Sequence, residues 1–189
     1  MSSLYKVCRT EQSAQRQRQL EQVLLEMMLK QRYEDISVSD LCHNMQIPRK
    51  SFYRYFDSKD GALYALIDHT MGDFFQYPVV GNQEKNTGLV DLERFFLFWY
   101  ERRQLLDALQ RSNLSGILVD RVNNFAVQEG HLPRQFKNLR PEQQGPAMAF
   151  TVCGLMAMLL SWHGQGFQSS PREMASLSVE MMTKPLLMR

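Results

Sequence analysis

Cysteine is scarce in this chain of 189 residues: Cys8, Cys42 and Cys153 are all it has, and no two lie close together. A disulfide framework or a zinc knuckle is therefore not expected. The thiols are expected to pack as small hydrophobes in the core, in a reducing cytoplasm. Long apolar runs are missing too. A membrane span needs roughly 20 apolar residues, and the richest stretch, Ala147–Trp162, falls short and runs into His-Gly-Gln-Gly. It reads as a buried helix, and no membrane is expected as a partner. The opening MSSLYKVCRTEQSAQRQRQL lacks the apolar core of a secretory signal. Catalytic signatures are absent as well. His43, His69, His131 and His163 are scattered, and there is no HExxH, glycine-rich phosphate loop or GxSxG. No enzyme activity, cofactor or metal is expected. Charge of either sign is not in large excess, since the net charge is +2. That excludes a basic coat for nucleic acid. The small excess nevertheless lies in one place: residues 1–60 hold ten basic against eight acidic side chains, and the remainder holds twelve of each. It weakly favours phosphate contact in the N-terminal part.

Hydrophobic residues make up 44% of the chain, enough for a core without metal or disulfide staples. Their spacing is helical almost from end to end, with few strand patterns and no internal repeat. A first helix is expected over about 12–30, where Leu20, Val23, Leu24, Met27 and Met28 form a core-facing stripe. The polar arm ahead of it carries Lys6, Arg9, Arg16 and Arg18, and a frayed terminus and a phosphate-touching arm are equally good readings. Ser37 is a good N-cap for a second helix, with Asp40 in its first turn and Val38, Leu41, Cys42 and Met45 as its stripe. After the turn Met45-Gln46-Ile47, Pro48 suits the first position of a third helix.

At about 100° per residue from Arg49, Tyr53 falls near 40°, Lys50 near 100° and Arg54 near 140°. Phe52, Phe56 and Tyr55 fall at roughly 300°, 340° and 240°. One side is aromatic and can pack on the preceding helices. The other is basic with one phenol. Two short helices, a tight turn and a basic second helix make the outline of a helix-turn-helix that reads double-stranded DNA in its major groove. A solvated charged face is the plainer alternative. Ser58 then caps a fourth helix, expected to carry Ala62, Leu63, Leu66, Ile67, Thr70, Met71, Phe74 and Phe75.

The run YEDISVSDL from Tyr33, followed by IPRKSFYRYFDSKDG from Ile47, closely resembles the DNA-binding domain of TetR/AcrR transcriptional regulators. The specific part covers about residues 12–67. The aromatic cluster 52–56 with Lys59 three residues on is its strongest signal. The resemblance implies an all-α protein with an N-terminal three-helix helix-turn-helix domain, residues 1–57. A C-terminal helical bundle for ligand binding and dimerisation, residues 58–189, would follow. It implies a homodimer on a palindromic operator, usually a repressor, in the cytoplasm and on the nucleoid when DNA-bound. By position, Arg49, Lys50 and Tyr53 would face the major groove, with Arg54 on the same basic side. Ser39, Ser51, Tyr55 and Lys59, joined by Ser37, would hold phosphates. The family often has glycine where this chain has Gln46, in a turn that favours a left-handed backbone.

Past a polar loop at 77–88, helices are expected over about 89–103, 105–111, 114–128, 146–164 and 170–188, with a second loop at 130–145. Ser170-Pro-Arg-Glu173 is a capping box with proline at the first helical position. The resemblance implies that this half binds a small effector. Phe95, Phe96, Trp99, Tyr100, Phe125, Phe150 and Trp162 are candidates for an apolar or aromatic pocket, with plain core packing as the competing role. Ala147, Thr151, Gly154 and Met158 place small or adaptable groups at three-to-four spacing, and Met174, Leu177 and Met181 continue an apolar stripe. Together they are candidates for the dimer surface, with intrachain packing as the alternative. A co-activator working through a protein partner, or a nucleoid-associated factor, is the competing function.

Overall fold

Thr10 opens the first helix: its hydroxyl accepts from Ser13 N at 3.2 Å, and α1 (Glu11–Met28) follows. The computed structural model describes residues 4–78, 87–128 and 138–183. Among these the chain is all-helical. A 3₁₀ turn at Tyr33–Asp35 leads to α2 (Val38–Asn44), α3 (Arg49–Phe52) and α4 (Lys59–Gln76). Then come α5 (Thr87–Glu101), α6 (Arg103–Arg111), α7 (Ser115–Gln128), α8 (Pro141–Gly164) and α9 (Pro171–Thr183). The expected loops at 77–88 and 130–145, His131, and the end of the last helix fall largely or wholly outside the described residues.

Two compact units emerge. One takes Met1–Met71 with Asp107–Phe125, the other Gly72–Leu106 with Ala126–Arg189. The expected division at residues 57 and 58 does not coincide with either boundary. The reason is α4: its first turns bury Ala62, Leu63, Leu66 and Ile67, so it belongs to the first core. In that unit Leu20, Leu24 and Met28 of α1 are buried, as are Leu41 and Cys42 of α2 and Phe52 and Phe56 around α3.

In the second unit α5 packs along α9. Phe96 meets Trp162 with ring centroids 5.6 Å apart, and Phe74 meets Phe98 at 5.2 Å. The capping box of α9 forms as expected, with Ser170 N donating to Glu173 Oε2 at 2.7 Å and Glu173 N to Ser170 Oγ at 3.3 Å. The bonds its carboxylate accepts from Ser170 N and from Ser170 Oγ hold the Glu173 carboxyl below its ordinary range. Helix α8 departs from expectation. It starts at Pro141, not Pro146, which lies inside it. Proline suits the first helical position, and Arg140 N donates to Gln143 Oε1 at 3.2 Å, so a start signal exists a turn earlier. The helix is long and apolar enough to cross a membrane by length and composition, unlike the short run expected. Its buried residues, Met148, Met156, Leu159, Trp162 and His163, all lie on one face.

Candidate nucleic-acid interface

Ser37 and Asp40 fix the entry to α2. Ser37 N and Oγ donate to Asp40 Oδ2 at 2.8 and 2.6 Å, and Asp40 N returns a bond to Ser37 Oγ at 3.1 Å. The bonds from Ser37 hold the Asp40 carboxyl below its ordinary value. In the turn, Ile47 N donates to Cys42 O at 3.0 Å, and Gln46 sits at φ +53°. That is the left-handed conformation in which the resembling family often places glycine, and Gln46 bears a small strain there.

Pro48 is the residue before α3, at φ −65° and ψ 147°, one place earlier than expected. Helix α3 is four residues long. Past Phe52 the chain tightens: Tyr55 N and Phe56 N both donate to Phe52 O, at 2.9 and 3.2 Å. This explains a tension in the wheel, which puts Phe56 only about 20° from Arg49. Phe56 is fully buried and Arg49 is exposed, because the backbone between them leaves the helical path. Phe52 packs on Phe56 at 5.1 Å and edge-on against Tyr53 at 5.5 Å.

The outer face holds Arg49, Lys50, Tyr53 and Arg54, all exposed, Tyr53 at 41%. Arg49 Nη2 donates to the Tyr53 hydroxyl at 3.3 Å. That bond raises the Arg49 pKa above its already high ordinary value, so the guanidinium stays charged. Of the residues expected at phosphates, Ser37 and Ser39 are exposed and Ser51 is half-buried. Tyr55 is buried, at 8% exposure. Lys59 turns inward: its Nζ donates to Tyr33 O and Ile36 O at 2.6 Å each and lies 4.1 Å from the Tyr33 ring centroid. Two of its three donors are thus spent holding the 3₁₀ turn ahead of α2. Lys59→Met is expected to lower stability by about 1–3 kcal/mol, as lost charge-assisted bonds do. Thermal unfolding measures this; an unchanged midpoint would show that the two bonds carry nothing.

The arm before α1 is not frayed. Lys6 N donates to Tyr55 O at 2.9 Å and Asp57 N to Leu4 O at 3.0 Å, so residues 4–6 lie along the segment that follows α3. Composition gave no sign of this; the one trace in the sequence is Gly61.

In the second unit Phe95, Phe96, Trp99 and Trp162 are buried and Tyr100 is exposed. Phe150, a pocket candidate, is 76% exposed on α8 and is not part of that aromatic core. Phe125 belongs to the first unit. Trp99 Nε1, fully buried, has no hydrogen-bond partner among the described residues. Of the dimer candidates, Gly154, Leu177 and Met181 are exposed, whereas Ala147, Thr151 and Met158 are half-buried. Met174 is 8% exposed and already covered within its own chain. The exposed row on α8 is Phe150, Cys153, Gly154, Ala157 and Ser161. Cys153 is therefore a surface thiol and not a core one.

No protein-family model matches the chain, and no curated protein sequence does. Solved structures of similar fold exist. One is the dihydroxyacetone kinase operon activator DhaS, with a TM-score of 0.55 and 17% identity over 88% of this chain and 93% of that one. Another is the fatty acid degradation regulator FadR from Bacillus halodurans, with a TM-score of 0.54 and 13% identity over 92% and 97%. At these identities the likeness is one of fold: all-helical, with an N-terminal helix-turn-helix and a C-terminal helical domain.

Proposed function

We propose that the chain is a sequence-specific DNA-binding transcriptional regulator of the TetR/AcrR type. Its reading head is the helix-turn-helix of α2 and α3. The observation that carries the reading is the exposed set Arg49 and Lys50 on α3 with Tyr53 and Arg54 in the turn that follows it, backed by the buried Phe52 and Phe56. Guanidinium and ammonium groups donate to guanine N7 and O6, and a phenol can contact a base edge or a phosphate.

The chain acts as a homodimer on a palindromic operator. Support comes from α8, whose outward row of Phe150, Cys153, Gly154, Ala157 and Ser161 is apolar or small. Such a row lets a second helix approach closely, and a twofold pair of α8 and α9 would cover it together with Leu177 and Met181. This reading of α8 needs no membrane, and the protein works in the cytoplasm and on the nucleoid. Operator occupancy blocks transcription, and a small apolar or aromatic effector releases it. The buried, unpaired Trp99 N–H supports an effector carrying a hydrogen-bond acceptor, since buried donors rarely go unsatisfied. A second reading is activation through a protein partner. DhaS, of similar fold, is an activator by its title, but the basic face of α3 favours direct DNA reading.

Selection of bound fragments from random and genomic DNA by the purified protein tests the proposal. The expected result is an inverted repeat whose half-sites are spaced by about one helical turn or a multiple of it. Enrichment of no sequence would overturn it in favour of a protein partner.

A further inference from the structure

Residues Leu4–Cys8 are tied to α1, α4 and the segment after α3 by backbone and side-chain hydrogen bonds. Tyr5 bridges Phe56 in antiparallel fashion, flanked by the bonds from Lys6 N to Tyr55 O and from Asp57 N to Leu4 O. Lys6 Nζ donates to Tyr53 O at 3.1 Å, at the end of the reading helix. Lys6 O accepts from the buried Gln17 Nε2 at 3.1 Å, and Cys8 Sγ donates to Gln17 Oε1 at 3.2 Å. The Tyr5 hydroxyl donates to Asp68 Oδ2 at 2.7 Å. Asp68 on α4 is in turn gripped by Arg121 on α7, with Nε donating to Oδ1 at 2.8 Å and Nη2 to Oδ2.

Gly61 is an independent sign that the sequence is fitted to this arrangement. Glycine weakens a helix relative to alanine, and this one stands in the first turn of α4. A Cβ placed there would lie 2.2 Å from Leu4 O, closer than atoms tolerate. On the same helix Gly72 has nothing within 4 Å of a Cβ.

We propose that Leu4–Cys8 form a strap that positions the reading helix, with Tyr5 as the positioning residue anchored on the Asp68–Arg121 pair. This rests on the DNA-reading role proposed above. A helix of four residues makes few bonds of its own, so its pose depends on what holds its ends. The capping box fixes α2 on one side. The strap fixes residues 53–57 on the other, and Lys6 supplies a cation to the carbonyl end of α3. Tyr5 thus ties the strap to the Asp68–Arg121 pair, and Lys6 ties the strap to Tyr53.

The test compares Tyr5→Phe, Gly61→Ala and the control Gly72→Ala in the full chain. Affinity for a selected operator and for a random duplex is read by fluorescence anisotropy, and hydrogen exchange is followed at Lys6 and Asp57. Both strap variants are expected to speed exchange at these two amides about tenfold. They should weaken operator binding about tenfold while changing random-duplex binding less than about twofold. Gly72→Ala should match the wild type in all three. Should Gly61→Ala fail to fold, Lys6→Met removes the bond to Tyr53 without crowding α4. Faster exchange with an unchanged operator-to-random ratio would make the strap merely structural and overturn the proposal, as would unchanged exchange in both variants. A wild type that prefers no DNA sequence would instead sink the regulator reading itself, so the two failures are distinguishable.

Discussion

Lys50→Ala is expected to reduce binding to the selected operator by about 1–3 kcal/mol per reading head, the usual worth of a specific side chain–base contact. On a palindrome the loss counts twice, because both subunits of a homodimer lose the same contact. At the low end of that range, about 1–1.4 kcal/mol, a roughly five- to tenfold loss per head becomes roughly 25- to 100-fold for the dimer. Lys50 suits the test because it is exposed, so its removal leaves the packing of Phe52 and Phe56 untouched. Two measurements separate its possible partners. If it reads a base, operator affinity falls and random-duplex affinity barely moves. If it holds a phosphate, both fall together and the salt slope of binding drops by roughly one per head. Tyr53→Ala is the companion, since Tyr53 carries the phenol to which Arg49 donates. Unchanged affinity in both variants, by anisotropy, would remove α3 from the groove.

The elements that were legible in the sequence are those governed by local chemistry. The Ser37 N-cap and the Ser170 capping box follow from side chains three residues or fewer from the backbone groups they serve. The core stripes of α1 and α4 follow from helical spacing. The left-handed Gln46 was legible only through the family resemblance, because glutamine itself gives no hint of it. Illegible were the contacts that depend on where distant segments meet. Lys59 looks from sequence like an exposed cation at a helix start, yet its ammonium reaches back to carbonyls 26 and 23 residues earlier. Tyr55 belongs to the aromatic cluster, and whether its ring faces in or out depends on the chain leaving the helix after Phe52. The strap joins residue 5 to residue 68, a separation no periodicity encodes. Phe150 shows the same limit in the second unit. An aromatic on an apolar helix reads as core, but α8 carries apolar or small side chains on both faces, and only packing decides which face is covered.

That uncovered face carries the second large prediction. Gly154→Glu is expected to convert the protein from a dimer to a monomer, which light scattering would register as a fall from about twice 22.1 kDa to the chain mass itself. The substitution is clean because a Cβ at Gly154 meets nothing within 4 Å, so the single chain has room for the new side chain. A side chain beyond glycine also favours the helix, and any loss of association cannot be laid to a damaged fold. In a twofold interface the change enters twice and sets two carboxylates in a region stripped of water, which costs several kcal/mol per ion when no cation is at hand. Operator binding should fall with it, since one reading head alone loses the second head's effective concentration, worth about 10²–10⁴ in affinity. Gly154→Ala is the control: its methyl is small enough for close helix approach, and dimer and DNA binding should both survive. A glutamate variant that remains dimeric would move the interface off this row of α8. If it also still binds the operator, the outward α9 residues Leu177 and Met181 become the place to look.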